Sequence, residues 1–144
     1  MDNSFSSKRQ KSKELSEKAK SLIAGGITSE LRYATPFPIF ICKAKGSRKW
    51  DVDGNEYIDY SMGSAALLLG HSHEAIVEAV NLQVNQGTLY SSLSEKELEW
   101  AELISSMYAS SERVRFVGSG TEANILAIRL ARAFTGRSKI IRFE

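Results

Sequence analysis

The residues Gly118-Ser119-Gly120-Thr121-Glu122-Ala123 carry the densest chemistry in the chain. The two glycines keep Cβ atoms out of the path of an approaching ligand, and Ser119 and Thr121 add hydroxyls. Just before them, Val114, Phe116 and Val117 predict a short buried strand. Just after them, Ile125, Leu126, Ile128, Leu130, Ala131 and Phe134 predict a helix that Gly136 stops. A second apolar run, Ile140-Ile141-Arg142-Phe143, makes the unit strand–helix–strand, which predicts a right-handed parallel crossover. A helix opening at such a turn offers free N–H groups and the positive end of its dipole, so the turn reads as an anion site, for a phosphate first of all. The plain alternative is a strand-to-helix turn with Ser119 or Thr121 as N-cap. One ligand that fits is a dinucleotide: the turn matches G-x-G-x-x-A, and Glu144 stands where a ribose-binding acid would sit. That fingerprint normally opens its own domain, however, and here it comes late in the chain.

Other reactive side chains are few. Arg32, between Leu31 and Tyr33, is either a surface ion-pair partner or a fork for a carboxylate. Cys42 is the only cysteine, so no internal disulfide is possible; its run Ile39-Phe40-Ile41-Cys42 suggests a small buried side chain and a reducing, cytoplasmic setting. His71 and His73 have no acidic neighbour beyond Glu74 at ligand spacing, so no metal site is expected. Asp51, Asp53, Glu56 and Asp59 fit no calcium-loop spacing and read as turn formers and solvent-facing strand residues.

The elements that must position these groups follow from patterning. Residues 1–10 are polar and expected to fray. A helix is predicted from about Lys11 to Ala24, with Leu15, Ala19, Leu22 and Ile23 on one stripe and Gly25-Gly26 as its stop. Residues 27–38 read as a loop. Three strands, Ile39–Cys42, Lys49–Val52 and Tyr57–Tyr60, predict a small antiparallel meander packed through Trp50, Val52, Tyr57 and Ile58. Its turns are Lys45-Gly46-Ser47 and Asp53-Gly54-Asn55. Glycines and alanines in Ser61–His71 allow a close approach by a ligand or a partner chain. Two more helices are expected, roughly His73–Gln86 with Ser72 as N-cap, and Glu95 to about Tyr108 opened by a Ser94–Glu97 capping box. The second would bury Trp100, Leu103, Ile104 and Met107.

Composition bounds the rest. The chain has 144 residues, 42% of them hydrophobic, and a net charge of +2, which gives no general argument for nucleic acid. No apolar run approaches the roughly 18 residues of a membrane helix, and the polar N-terminus lacks a signal core.

Taken together, Gly25-Gly26-Ile27-Thr28-Ser29-Glu30-Leu31-Arg32, Trp50–Tyr60, Leu69-Gly70-His71-Ser72-His73, Val114–Ala123 and Ala127–Arg137 resemble the N-terminal part of the class III pyridoxal-phosphate aminotransferases, especially the glutamate-1-semialdehyde 2,1-aminomutase group. The resemblance runs from about Leu15 to Glu144 in five blocks. It implies an α/β chain, the N-terminal portion of fold type I: a small α+β subdomain over residues 1–70, then the start of the large parallel-sheet domain over 71–144. It also implies a homodimer acting on an amino acid or amino-aldehyde, with pyridoxal phosphate as cofactor. Ser119, Gly120 and Thr121 match the segment that binds the cofactor phosphate. Ser29 and Arg32 match positions that hold the substrate carboxylate. Ser64, within Gly63-Ser64-Ala65, stands where the aminomutase has a tryptophan lining the substrate pocket, so a transaminase for another amino acid is an equal expectation. The family's Schiff-base lysine is expected beyond residue 144, and Lys139 matches no catalytic position. A non-catalytic fragment or assembly subunit and a dinucleotide-binding module are the alternatives.

Overall fold

The computed structural model describes residues 3–143, in two units, Met1–Thr88 and Leu89–Glu144. In the first, helix α1 (Asn3–Ser7) leads into α2 (Gln10–Leu22). Short 3-10 turns at Ala24–Gly26 and Glu30–Arg32 follow, then strands β1 (Ile41–Lys45), β2 (Arg48–Asp51) and β3 (Glu56–Ile58), and helix α3 (Glu74–Val84). The strands form an antiparallel sheet in the order β1-β2-β3, so the predicted meander is present. Glycine turns close it, Gly46 and Gly54 having φ of 56° and 87°, which a side chain would disfavour.

Residues 3–7 form a helix where fraying was expected. Phe5 packs on the buried Phe37 ring at 5.5 Å, and the Arg9 guanidinium lies 4.2 Å from the Phe5 centroid. The buried stripe of α2 is Ser12, Ser16 and Ala19 rather than the predicted Leu15, Ala19, Leu22 and Ile23; Leu22 is left exposed. The stripe is made of small side chains, and the helix docks on the sheet through polar bonds. The Asp53 carboxylate, on the β2–β3 turn, accepts from the backbone N–H of Lys11 and Ser12 at 2.7 and 3.0 Å and from Ser12 Oγ at 2.6 Å. The hairpin thus caps the helix, whose own N-cap residue, Arg9, makes no side-chain cap bond.

Two strand residues read as solvent-facing are buried. Asp51 is 1% exposed, and Asp59, just after β3, is 6% exposed. Asp51 accepts from the Tyr57 hydroxyl at 2.6 Å, from Asn55 Nδ2 and from the backbone N–H of Asp53 and Asn55. The Arg9 Nε donates to the same Tyr57 oxygen. Ile58, expected to pack, is instead exposed. Cys42 is exposed too, its thiol donating to the Asp51 carbonyl at 3.2 Å.

The second unit contains α4 (Glu95–Met107) and α5 (Gly120–Thr135). Gly136 closes α5 in the left-handed conformation, its N–H on the Arg132 carbonyl. The Ser94 side chain makes no cap bond, so the predicted capping box at α4 does not form. The α3 cap is likewise His73 rather than Ser72, whose hydroxyl donates to the Ala44 carbonyl. Residues 114–117, between α4 and α5, and 140–143, after α5, have no ladder partner among the described residues, so the two predicted strands do not pair with each other. A strand exists only through its neighbours, and a parallel pair needs partners distant in sequence. Trp100 stacks on Phe116 at 4.0 Å, yet Trp100, Leu103 and Met107 of the predicted buried stripe remain about half exposed or more.

Candidate functional site

The turn before α5 forms as its residue types require. Ser119 is the N-cap, with extended backbone, and its Oγ accepts from the Glu122 N–H at 3.2 Å. The Glu122 carboxylate reaches back past the cap to accept from Gly118 N–H at 2.8 Å. This leaves Gly120 and Thr121 as the first two residues of a helix of 16, where backbone N–H groups have no intrahelical acceptor. Both are exposed, as is Ser119. A Cβ built on Gly120 would meet nothing within 4 Å, so the approach to these donors is open. The Ser119 hydroxyl keeps its own proton to donate. Two N–H groups, the Ser119 hydroxyl and a helix dipole therefore face exposed space, with Thr121 adding a second hydroxyl at the same helix start, a donor set suited to a phosphate dianion. The residues present fit the phosphate of a cofactor. Glu144, the ribose acid of the dinucleotide reading, lies outside the described residues.

In the first unit, Ser29 and Arg32 share a single turn, the Arg32 N–H bonding to the Ser29 carbonyl at 2.9 Å. The Arg32 guanidinium donates through Nη1 to Thr28 Oγ1. No carboxylate lies within ion-pairing distance of it among the described residues. It borders a cavity of about 650 Å³ with walls that include Ile23, Thr28, Tyr33, Ile39 and Lys49. An exposed guanidinium at the edge of an apolar hollow is free to make a forked pair with an incoming carboxylate. Ser29 and Ser64 do not line this cavity. Ser64 sits in a turn where Met62, Gly63, Ser64 and Ala65 have φ of 42°, 63°, 60° and 65°.

Behind that turn lies a cluster that sequence reasoning missed. Asp59 accepts from Lys49 Nζ at 3.0 Å and from Ser61 N–H at 3.0 Å, and its other oxygen meets His71 Nε2 at 2.7 Å. The bonds from His71 and Lys49 hold the Asp59 carboxyl far below the ordinary carboxylate range, against the opposing effect of burial. Burial likewise pushes Asp51 up, but the bonds from Tyr57, Asn55 and Asp53 outweigh it and keep this carboxyl low as well. Asp59 and His71 lie twelve residues apart, and nothing local in the sequence signals their pairing.

Residues 30–144 match the family model described as aminotransferase class-III. The chain is 47% identical over 137 residues to a glutamate-1-semialdehyde 2,1-aminomutase of Methanocella arvoryzae, the match covering 95% of this chain and 32% of that protein. A structure titled as a transaminase with PLP bound superposes with a TM-score of 0.87 at 38% identity, covering 91% of this chain and 31% of the other. A β-phenylalanine aminotransferase from Variovorax paradoxus gives a TM-score of 0.88 at 32% identity, with 92% and 31% covered. The chain thus spans about a third of the length of the proteins it matches.

Proposed function

Because the chain belongs to the class III aminotransferase family, we propose that the protein containing it transfers amino groups with pyridoxal phosphate, and that these residues supply the phosphate cradle and the substrate-carboxylate arginine. The observation that carries the reading is the open, unpaired donor set at Ser119, Gly120 and Thr121 on the end of a long helix. When bound, pyridoxal phosphate supplies an aldehyde that takes up amino groups and an electron-poor ring that stabilises charge on the neighbouring carbon. The chain's own part is positional. The α5 terminus would hold the phosphate through the N–H groups of Gly120 and Thr121 and the two hydroxyls, fixing the cofactor without a covalent bond. Arg32 would orient an amino acid by its carboxylate, with Ser29 beside it on the same turn, and the apolar wall of the cavity would exclude water from that pair. The lysine required for covalent chemistry is assigned to no residue of this chain, so isolated residues 1–144 are expected to be inactive.

The choice between aminomutase and transaminase rests on Ser64. A serine in place of a tryptophan leaves a larger, more polar space, which favours transamination of another amino acid over the aminomutase reaction. Assembly as a homodimer is part of the proposal, consistent with the exposed apolar surface of both units. The test is kinetic. In the intact protein, Arg32→Ala should lower kcat/KM for a carboxylate-bearing donor such as alanine by about a hundredfold, and leave an amine without a carboxylate, such as 1-phenylethylamine, nearly unaffected. Equal losses on both donors would remove Arg32 from the carboxylate role.

A further inference from the structure

Loop 60–70 is held at its neck from both sides. Where it leaves the sheet, the Asp59 N–H donates to the Ser47 carbonyl at 2.8 Å. Where it returns, His71 makes a two-way backbone bridge with Gly46, at 2.8 and 2.9 Å. One β-turn, Gly46-Ser47, therefore grips both ends. The packing there is tight: a Cβ on Gly70 would lie 3.1 Å from the Gly46 Cα. Across the neck, the Asp59 carboxylate ties the ends together through His71 Nε2, holds Ser61 N–H at the start of the loop, and is itself anchored by Lys49 of β2.

The loop beyond this clasp is unusual in two respects. Its backbone runs left-handed through four consecutive residues, three of them not glycine, a conformation L-residues avoid unless their surroundings impose it. It is closed internally by Ala65 N–H on the Ser61 carbonyl at 2.9 Å and Leu67 N–H on the Met62 carbonyl at 3.0 Å. Tyr60 and Leu68 are each 90% exposed, while Met62 and Leu67 are half-buried, so only part of the loop is packed. The neck is where several hydrogen bonds fix both ends of the loop at once. A buried carboxylate held by a lysine and a histidine is a weak source of stability but a strong source of fixed geometry.

We propose that Asp59 is a positioning residue that, through His71 and Ser61, clasps loop 60–70 and so fixes where Ser64 stands toward the amino donor, outside the cavity that Arg32 borders. The role given to Ser64 rests on the amino-transfer reading; the clasp does not. Two measurements keep them apart. The first is residue-resolved hydrogen exchange in the intact protein. Asp59→Ala, and separately His71→Ala, should speed exchange of the Ala65 and Leu67 amides by about tenfold or more, while the α2 amide of Lys13 and that of Ile23 just beyond it keep wild-type rates. His71→Ala leaves Lys49, Ser61 and the backbone bridge in place, so it decides the matter if Asp59→Ala does not fold. Unchanged exchange at Ala65 and Leu67, or a uniform rise that includes α2, would overturn the clasp. The second is the ratio of kcat/KM for β-phenylalanine to that for alanine as donor probes. It should move several-fold in His71→Ala, through KM more than kcat, since a displaced Ser64 alters fit rather than chemistry. A constant ratio alongside accelerated exchange would overturn the role of Ser64 and keep the clasp. Wild-type protein that turns over no donor would contradict the amino-transfer reading and leave the exchange result to decide the clasp.

Discussion

Two aspartates set the character of the first unit, and both act through being ionised. Asp51 and Asp59 are buried, accept several hydrogen bonds, and are held below the normal carboxylate range in the folded chain. A carboxyl whose folded value is depressed binds fewer protons than it does when unfolded. The stability it adds is therefore complete above the unfolded value of about 4 and drains away as pH falls below that. We expect the melting temperature of the first unit to drop between about pH 5 and about pH 3, and the drop to shrink in Asp59→Asn, which cannot ionise. A profile identical in wild type and variant would show that Asp59 does not contribute. These residues also mark where sequence reading failed. Aspartates beside turn glycines look like surface turn formers; their burial depends on Asn55 and Tyr57, four and six residues from Asp51, and His71, twelve from Asp59, folding back onto them.

At the scale of elements, local rules carried the sequence reading well. The turn at Gly118–Thr121, the helix after it and the left-handed stop at Gly136 all follow from residue type within a few positions, and all are present. The three-stranded meander was legible for the same reason, with Gly46 and Gly54 at its turns. What depended on distant partners was not legible. The runs 114–117 and 140–143 have strand-forming residues but no ladder, and α2 turned its small residues inward because its cap comes from Asp53 on the hairpin. Glycine at position 70 belongs to this scale too. Its φ of 86° and the nearness of Gly46 mean that Gly70→Ala should destabilise the first unit by about 2 kcal/mol, read by urea unfolding of the protein followed by Trp50 fluorescence. A cost near zero would show that the neck of loop 60–70 is loose.

The whole chain exposes far more apolar surface than a self-sufficient domain. Phe134 is 90% exposed, Ile141 92% and Phe143 98%, and the buried apolar residues are only Ala19 and Phe37 among the described residues. Surface of this kind calls for a cover. Residues 1–144 on their own should therefore self-associate and bind a hydrophobic dye, and sizing across a concentration series checks this; a monomer that binds no dye would mean the apolar faces find cover within the chain. No helix among the described residues is long and apolar enough to cross a membrane. The family came through in the sequence because its blocks are local motifs; the cover for these faces is a long-range matter that no motif encodes.

The α5 terminus is where phosphate binding can be read residue by residue. Amide resonances of the intact protein can be followed while pyridoxal phosphate, and separately pyridoxal without the phosphate, is added. Ser119, Gly120 and Thr121 should shift with pyridoxal phosphate and stay still with pyridoxal, because it is the phosphate that those N–H groups would hold. Equal shifts with both compounds, or shifts confined to other residues, would contradict phosphate binding there.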